Sequence, residues 1–477
     1  MKKIGSCYKV LSDEQIVKVH EKSVAILEKI GVKIDSEKAR RIYRKNGCKV
    51  KGDRVHIPAQ LVNELTSIKQ DPLTIYSRTG QSVTLERGKT YYHNCGTVAS
   101  ILDSGSGELR NAAGKDAVDL TRLLDALGSV DTITPIVYPQ DIDQRVALLF
   151  SLKETLKNTT KPIGGPGVNN LPEAEYMLEM LSVFNSDDYK LQGCFKISPI
   201  SPLSIPKHSA EALIFLVEKK CPVGALPCPI VGLTAPMSLL GAITQQNAEV
   251  LAILTLARSI DINQKLTYGA RLVVPNLAFC NTLGGSPENT IVDVCAVQMA
   301  HFYNMVSDIY GEGTCSILPD AQMGFEKGIK GTISTLAGAM WQSGIGSVND
   351  GFAVSYEQVV IDDEIIKNIY HSLLSLAEDE DNMGFDAVND VAEGRSDYIS
   401  HNSTLQFMKS PEMYNRQMSV CMDKDYKSWK NSGMVSIQTR AREKVETILK
   451  KHLPAPVDKE QKKALEKIFE HAAGLGS

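Results

Sequence analysis

The residues best suited to chemistry lie in the stretch VSDIYGEGTCSILPDAQMGFEKG, residues 306–328. Its apolar start predicts a short strand over 306–310. The chain then breaks at Gly311 and Gly313, crosses a polar loop, and restarts as a helix after Pro319. An α/β protein presents reactive groups in this way, at the carboxyl end of a strand. Other predicted strands end alike. In chain order those ends hold Tyr138, Gly164–Gly165, Ser198, Cys228, Gly269–Arg271, Glu312 and Asn349–Asp350. Tyr91, Tyr92 and His93, in the run TYYHNCG, can overhang the same mouth. The inventory is aromatic and carries few charges. Ring faces attract quaternary ammonium groups by ~0.5–2 kcal/mol each, so a bound cation is one reading and ordinary aromatic packing the other.

Several chemistries find no support. There is no paired-carboxylate arrangement for glycoside cleavage and no G-x-S-x-G elbow. No lysine falls at a predicted strand end, which argues against a Schiff base. Phosphate-binding glycine loops of the GxxxxGK[ST] and GxGxxG types are absent. His93 and Cys95 have the His-x-Cys spacing of some zinc sites, but no third ligand stands at a motif spacing, so no metal site is predicted.

The elements that must position these residues alternate from about residue 115 onward. Helices are predicted over 143–157, 172–184, 206–219, 237–258, 287–303 and 319–341. Between and after them come the strands SVDTITPIVYP, KPIGG, CFKISPISP, CPVGALPCP, KLTYGAR, VSDIYGEG and IGSVNDG. Several of these helices open on proline at their first turn. Seven strands alternating with helices predict an α/β protein built as a (β/α)8 TIM barrel. An open doubly wound sheet would more often carry a glycine-rich phosphate turn after its first strand. The eighth strand lies before residue 115 or after residue 375. Ahead of the barrel, residues 1–114 read as an α+β cap. Its first helix, over 12–30, carries an apolar stripe of Ile16, Val19, Val24, Leu27 and Ile30. The barrel is assigned to 115–395 and a C-terminal helical extension to 396–477. That extension contains the loop HNSTLQF and two charged helices split by LPAP.

Composition sets the class. The 477 residues are 43% hydrophobic and 23% charged, as in ordinary globular proteins. A net charge of -4 lacks the basic footprint of a nucleic-acid binder. The ten cysteines include no CxxC pair, which points to a reducing cytoplasm. No apolar run reaches the ~18 residues of a membrane span, and MKKIGSCYKV has no apolar signal core. A cytoplasmic location is expected.

Four stretches together carry a resemblance: LDSGSGELRNAAGKDAVDLTRLLDALGSVD, ISPISPLSIPKHSAEALIFLVEKKCPV, GLTAPMSLLGAITQQNAEVLA, and the opening stretch with Gly311, Gly313, Asp320, Gln322, Gly324 and Glu326–Lys327. Over about residues 12–455 the chain resembles the trimethylamine:corrinoid methyltransferase family. More narrowly, it is similar to the branch without pyrrolysine, which demethylates quaternary amines. The resemblance implies a (β/α)8 barrel that moves a methyl group from an amine to the cobalt of a corrinoid on a separate protein. None of the nine histidines has Asp two residues before it, as a D-x-H-x-x-G corrinoid lower ligand would require. No cofactor is therefore expected to bind directly, and the corrinoid comes with the partner. Where the founding enzymes carry pyrrolysine, this chain has Cys315-Ser316-Ile317-Leu318-Pro319. A quaternary ammonium needs no such electrophile, since it is already charged and leaves as a neutral amine. The site then needs mainly positioning.

On this reading Tyr91, Tyr92, Tyr138, Phe352 and Tyr356 are the cage candidates. Glu312 and Glu249 are the candidate carboxylates. Glu249 either counters the ammonium or holds a loop, against the plainer reading of an ion pair with Arg271. Arg271, His93 and Asn349 are candidate donors to a betaine carboxylate. Proline betaine is the preferred substrate, with glycine betaine, carnitine and γ-butyrobetaine also open, and homo-oligomers are implied. Two alternatives stand beside this reading. One is a zinc-dependent methyltransferase to a thiol, with His93 and Cys95 among its ligands. The other is a non-enzymatic quaternary-amine binding protein.

Overall fold

The amino-terminal helix Asp13–Ala25 begins where Ser12 and Gln15 close a reciprocal capping box. It runs into a wider turn, Ile26–Ile30, and stops at Gly31, whose φ of 77° suits glycine. The helix Glu37–Lys45, the hairpin Lys49–Lys51/Arg54–His56 and the helix Ala59–Ser67 complete this cap. It packs on the long helix Leu239–Ile260. The computed structural model describes residues 7–103, 106–187, 190–191, 193–279, 281–413 and 425–474.

The centre is a six-stranded parallel sheet. Its spatial order is Tyr91–Asn94, Trp341–Ile345, Val306–Ile309, Leu266–Gly269, Val223–Ala225, Phe195–Ile197. Four of these strands lie where the sequence predicts them, and Trp341–Ile345 begins ahead of the predicted IGSVNDG, meeting it only at Ile345. Tyr91–Asn94 joins them from before residue 115, one of the two places left open for a further strand. Pairing continues past both outer strands as single parallel bridges: His93 with Thr132, Ile133 with Ile163, and Gly167 with Lys196. The predicted strands SVDTITPIVYP and KPIGG shrink to these bridges. Pro135, Pro162 and Pro166 offer no N–H to a ladder, so regular pairing cannot extend there.

Three local expectations are corrected. The helix predicted over 319–341 ends at Leu336, and the chain turns at Gly338 with φ of 86°. Trp341 therefore sits on a strand rather than a helix. HNSTLQF is not a loop: Asn402–Met408 is helical, capped when His401 Nδ1 accepts from Ser403 N–H. And one helix, Leu239–Ile260, is long and apolar enough to cross a membrane, although the sequence showed no uninterrupted run of that kind. Its most apolar window is 72% buried inside the protein, as a core helix would be.

The ends of the sheet are treated differently. At the amino end, the hairpin Leu73–Tyr76/Ser82–Leu85 packs Leu73, Ile75 and Leu85 against Cys194, Val306, Met340 and Trp341. At the carboxyl end, Ser347–Val348 and Ala353–Val354 pair with each other. Ala353–Val354 also pairs with the hairpin Ser100–Leu102/Leu109–Asn111. The C-terminal helices Ile437–Lys451 and Lys459–Ala472 lie outside the helical layer and bury Ala441, Val445, Leu465 and Ile468.

Candidate active site

Alternation along a strand decides which side chains enter the space enclosed by the sheet. In the strand Val306–Ile309, Asp308 points in and is fully buried. In Phe195–Ile197 it is Lys196, flanked by two apolar residues that pack outward. Lys196 Nζ lies 2.6 Å from Asp308 Oδ2, donates to Thr267 Oγ1 at 3.0 Å, and stands 4.5 Å above the Trp341 ring. Arg271, two residues beyond its strand, donates from Nη2 to Asp308 Oδ1 at 2.8 Å and to Ser343 Oγ at 2.9 Å. His93 places Nε2 3.7 Å from Asp308 Oδ1, and neither ring nitrogen makes a hydrogen bond.

Burial alone would raise the Asp308 pKa. Lys196 and Arg271 outweigh it and hold the carboxyl well below the usual range. Burial lowers the His93 pKa against the pull of Asp308, so this imidazole is neutral near pH 7. Two cations thus share one anion, and the cluster carries one spare positive charge.

Above this cluster opens a cavity of about 370 Å³, which Tyr310, Asp350 and Gly351 also line. The Tyr310 ring lies against Gly313 and Gly351, where a Cβ would come within 2.7–2.9 Å of its atoms. Asp350 accepts from Gly284 N–H at 2.5 Å and from the Thr282 hydroxyl. Burial raises its pKa against these bonds. Asn349 and Asp350 both have left-handed backbone, φ of 49° and 57°. Such strain gathers at functional turns. The turn is held from below, because Asn349 N–H donates to Ser316 carbonyl and Asp350 N–H to Thr314 carbonyl. The loop at residues 314–319 is itself tied to the helix Ala321–Leu336, where Glu326 accepts from Thr314 Oγ1 and Cys315 N–H. It supports the cavity wall and does not line the cavity.

Of the residues predicted from sequence, His93 and Arg271 meet in this cavity, with Cys95 beside them. The five rings do not meet. Tyr91 packs at the amino end of the sheet with Trp341 and the capping hairpin. Tyr92 points outward under the helices, its hydroxyl 3.1 Å from Thr335. Tyr138 donates to Gln144 carbonyl, and Tyr356 donates to Asp116 at the start of its helix. Phe352 is 65% exposed on the rim. Successive strand residues face opposite ways, so adjacent rings could not share one wall.

The two carboxylates also lie elsewhere. Glu249 accepts from Ser201 Oγ at 2.7 Å, Leu203 N–H at 2.9 Å and Gln245 Nε2 at 3.0 Å. It holds the loop after Phe195–Ile197 and makes no pair with Arg271. Glu312 is fully buried outside the sheet, beneath Ala321–Leu336, where a Cβ on Gly331 would come within 2.4 Å of Oε1. Burial, then the Asp362 charge, push its pKa well up. Asn349 borders the cavity only through its neighbours Asp350 and Gly351.

Sequence reasoning missed Lys196, Asp308 and Tyr310 as site residues. The available signal was a charged residue set between apolar ones in a short buried strand, as in Phe195-Lys196-Ile197. Among the described residues, no group of three or more His, Cys, Asp and Glu is placed to hold a metal ion, so His93 and Cys95 have no partners for a zinc site.

A parallel α/β sheet with a charged cavity at the carboxyl ends of its strands defines an enzyme of the α/β class. The chain belongs to the trimethylamine methyltransferase (MTTB) family, whose sequence model matches residues 1–473. It is 27% identical to trimethylamine methyltransferase MttB of Desulfitobacterium hafniense, over 96% of this chain and 93% of that protein. It is 27% identical to glycine betaine methyltransferase of a second Desulfitobacterium hafniense strain, over 95% of each. Trimethylamine methyltransferase MttB of Methanosarcina barkeri is 24% identical, over 97% of this chain and 95% of its own length. The crystal structure of Methanosarcina barkeri monomethylamine methyltransferase (MtmB) shares the fold, with a TM-score of 0.51 and 11% identity over 99% of this chain and 96% of its own.

Proposed function

We propose that the protein moves a methyl group from a zwitterionic quaternary amine, a betaine, to the Co(I) corrinoid of a separate protein. The observation that carries this is the polarity of the cavity. Arg271 and Lys196 bring spare positive charge to its lining, and Asp350 with the Tyr310 ring brings negative potential to the same cavity. A betaine has the matching dipole. Its carboxylate faces Arg271 and His93, and its ammonium faces Tyr310 and Asp350. Trimethylamine has no carboxylate to match the first half. Proline betaine remains the preferred member of the class, followed by glycine betaine, carnitine and γ-butyrobetaine.

The corrinoid is a second substrate, presented by its carrier. The Co(I) electron pair forms the new bond to the methyl carbon while the C–N pair departs with nitrogen. The products are methyl-Co(III) and a neutral tertiary amine, and no proton moves. The chain's part is to orient the N–CH3 bond toward the mouth and to exclude water. Strong negative charge at the ammonium would favour substrate over a transition state in which that charge disperses. The hydrogen-bonded Asp350, with its raised pKa, suits that need better than a bare carboxylate. The rim fits a docking partner. Ile200, Leu233, Met237, Phe279 and Phe352 follow the carboxyl ends of four strands, and all are exposed. On the same reading the single bridges close the sheet as an eight-membered (β/α)8 barrel, and the cap expected over 1–114 ends before Tyr91, since Tyr91–Asn94 is one of the barrel strands.

The test mixes the protein with a reduced corrinoid carrier and follows methyl-cobalt formation spectroscopically. Betaines are expected to react, while choline and trimethylamine, which lack the carboxylate, react at least tenfold more slowly. A carrier proven active that gains no methyl group from any quaternary amine would sink the proposal.

A further inference from the structure

The two cations of the cavity are held in different ways. Arg271 is fixed to the wall. Its Nη1 donates to the Ala270 and Asp308 carbonyls at 2.8 and 2.9 Å, and its Nη2 to Asp308 Oδ1 and Ser343 Oγ. Those bonds use every Nη proton, which leaves Nε alone for a ligand. Lys196 is threaded between two glycines. A Cβ on Gly224 would come within 3.0 Å of Lys196 Cδ, and one on Gly165 within 3.3 Å of Cε. Past Asp308 and Thr267, the next acceptor for its ammonium among the described residues is the Cys194 sulfur at 4.0 Å, a weak one.

Asp308 cancels one of the two cations, and His93 is neutral near pH 7, so the cluster keeps one unit of positive charge. Lys196 is the separable one. Without it, Arg271 and Asp308 balance, and the bonds from both Nη atoms of Arg271 stay made. Loss of Arg271 would also free two backbone carbonyls and Ser343. Charges buried this deeply are poorly screened by salt, so one unit counts.

We propose that Lys196 sets the choice between a zwitterionic and a purely cationic quaternary amine. This rests on the betaine reading above. With Lys196 in place, the carboxylate of a zwitterion balances the spare charge, and a ligand without one meets it unbalanced. With Lys196 gone, Asp350 and Tyr310 still attract the ammonium and nothing opposes a plain cation. Glycine betaine and choline separate the two cases, because they differ only in a carboxylate against a hydroxymethyl group.

Calorimetric titration of the full chain with each of these two ligands, without carrier, tests the proposal. Lys196→Met is expected to shift the ratio of affinities toward choline by at least ~tenfold. Asp308→Asn adds a unit of positive charge and is expected to shift it the other way. Lys196→Met/Asp308→Asn restores the original count and is expected to return the ratio to within ~threefold of wild type, a rescue that a merely structural lysine would not show. If circular dichroism shows Lys196→Met unfolded, the step from Asp308→Asn to the double variant reads the same loss of one charge. A wild type that binds neither ligand would overturn the betaine reading and this inference with it. A wild type that prefers betaine, with a ratio that removal of Lys196 leaves unmoved or the double variant fails to restore, would overturn this inference alone.

Discussion

Asp308 neutralises two cations inside the sheet, so its removal costs more than the pair itself contributes. Asp308→Ala strands Lys196 and Arg271 in a buried site, a loss of ~3–5 kcal/mol by analogy with other broken buried pairs. Asp308→Asn keeps the shape and is expected to lose less. The pH dependence follows from the depressed pKa of Asp308. Its charge stabilises the fold fully above the unfolded value of ~3.9, and that contribution disappears as pH falls through the lower folded value. The stability gap between wild type and Asp308→Asn thus persists from neutral pH to about 4.5 and shrinks below about 4. His93 adds a separate slope. Its folded pKa is lowered, so the unfolded chain takes up the proton first and stability falls as pH drops below ~6.5. His93→Gln is expected to remove that slope and leave the other. Urea titrations across pH check both, and a wild-type to Asp308→Asn gap that closes already between pH 7 and 5.5 would contradict this account. These groups were hard to see in the sequence for a physical reason. The strand end was searched for chemistry, but side chains that line a cavity floor lie one or two residues before that end, inside the strand.

At the scale of elements, the tightest constraint is the approach of residues 163–167 to the strand Phe195–Ile197. A Cβ on Gly165 would fall 1.3 Å from the Cys194 carbonyl oxygen, which belongs to rigid backbone. Gly165→Ala is expected to cost at least ~3 kcal/mol, the upper end of overpacking penalties, because one segment must move off the other. Gly128 is exposed and has nothing within 4 Å of a built Cβ, so Gly128→Ala is the control and stays within ~0.5 kcal/mol. Equal stability of the two variants in urea would refute the close approach. The Gly164–Gly165 pair stood out in the sequence as a strand end, but not as a contact, since nothing local reveals which carbonyl lies opposite. The alternating rhythm of strands and helices was legible because each helix buries a stripe and each strand is short and apolar. The shift of Trp341 from helix to strand was not. Residues 337–340 are apolar in either state, and Gly338 alone marks the turn. The stretch 306–328 was expected to present reactive groups, its loop at 314–319 included. Instead the loop braces the turn at Asn349–Gly351, a long-range contact that no sequence periodicity encodes.

For the whole molecule, the proposed reaction requires two substrates to meet at one cavity. The betaine lies within, and the corrinoid arrives on a protein of its own. Affinity for the two is therefore expected to separate by position. Floor residues such as Arg271 govern the betaine, and rim residues govern the carrier. Phe352 was a cage candidate by sequence, yet its 65% exposure places it with Phe279 on the rim. An aromatic side chain at the centre of an interface commonly contributes ~2 kcal/mol or more, which is roughly 30-fold in affinity. Phe352→Asp and Phe279→Asp are each expected to raise the KM for the corrinoid carrier by about that factor. Both are expected to leave betaine affinity, measured calorimetrically without carrier, within twofold of wild type. Arg271→Met is expected to do the reverse, weakening the betaine while sparing the carrier. If Phe352→Asp instead abolished betaine binding and left the carrier KM unchanged, the ring would belong to the pocket and the carrier would dock elsewhere.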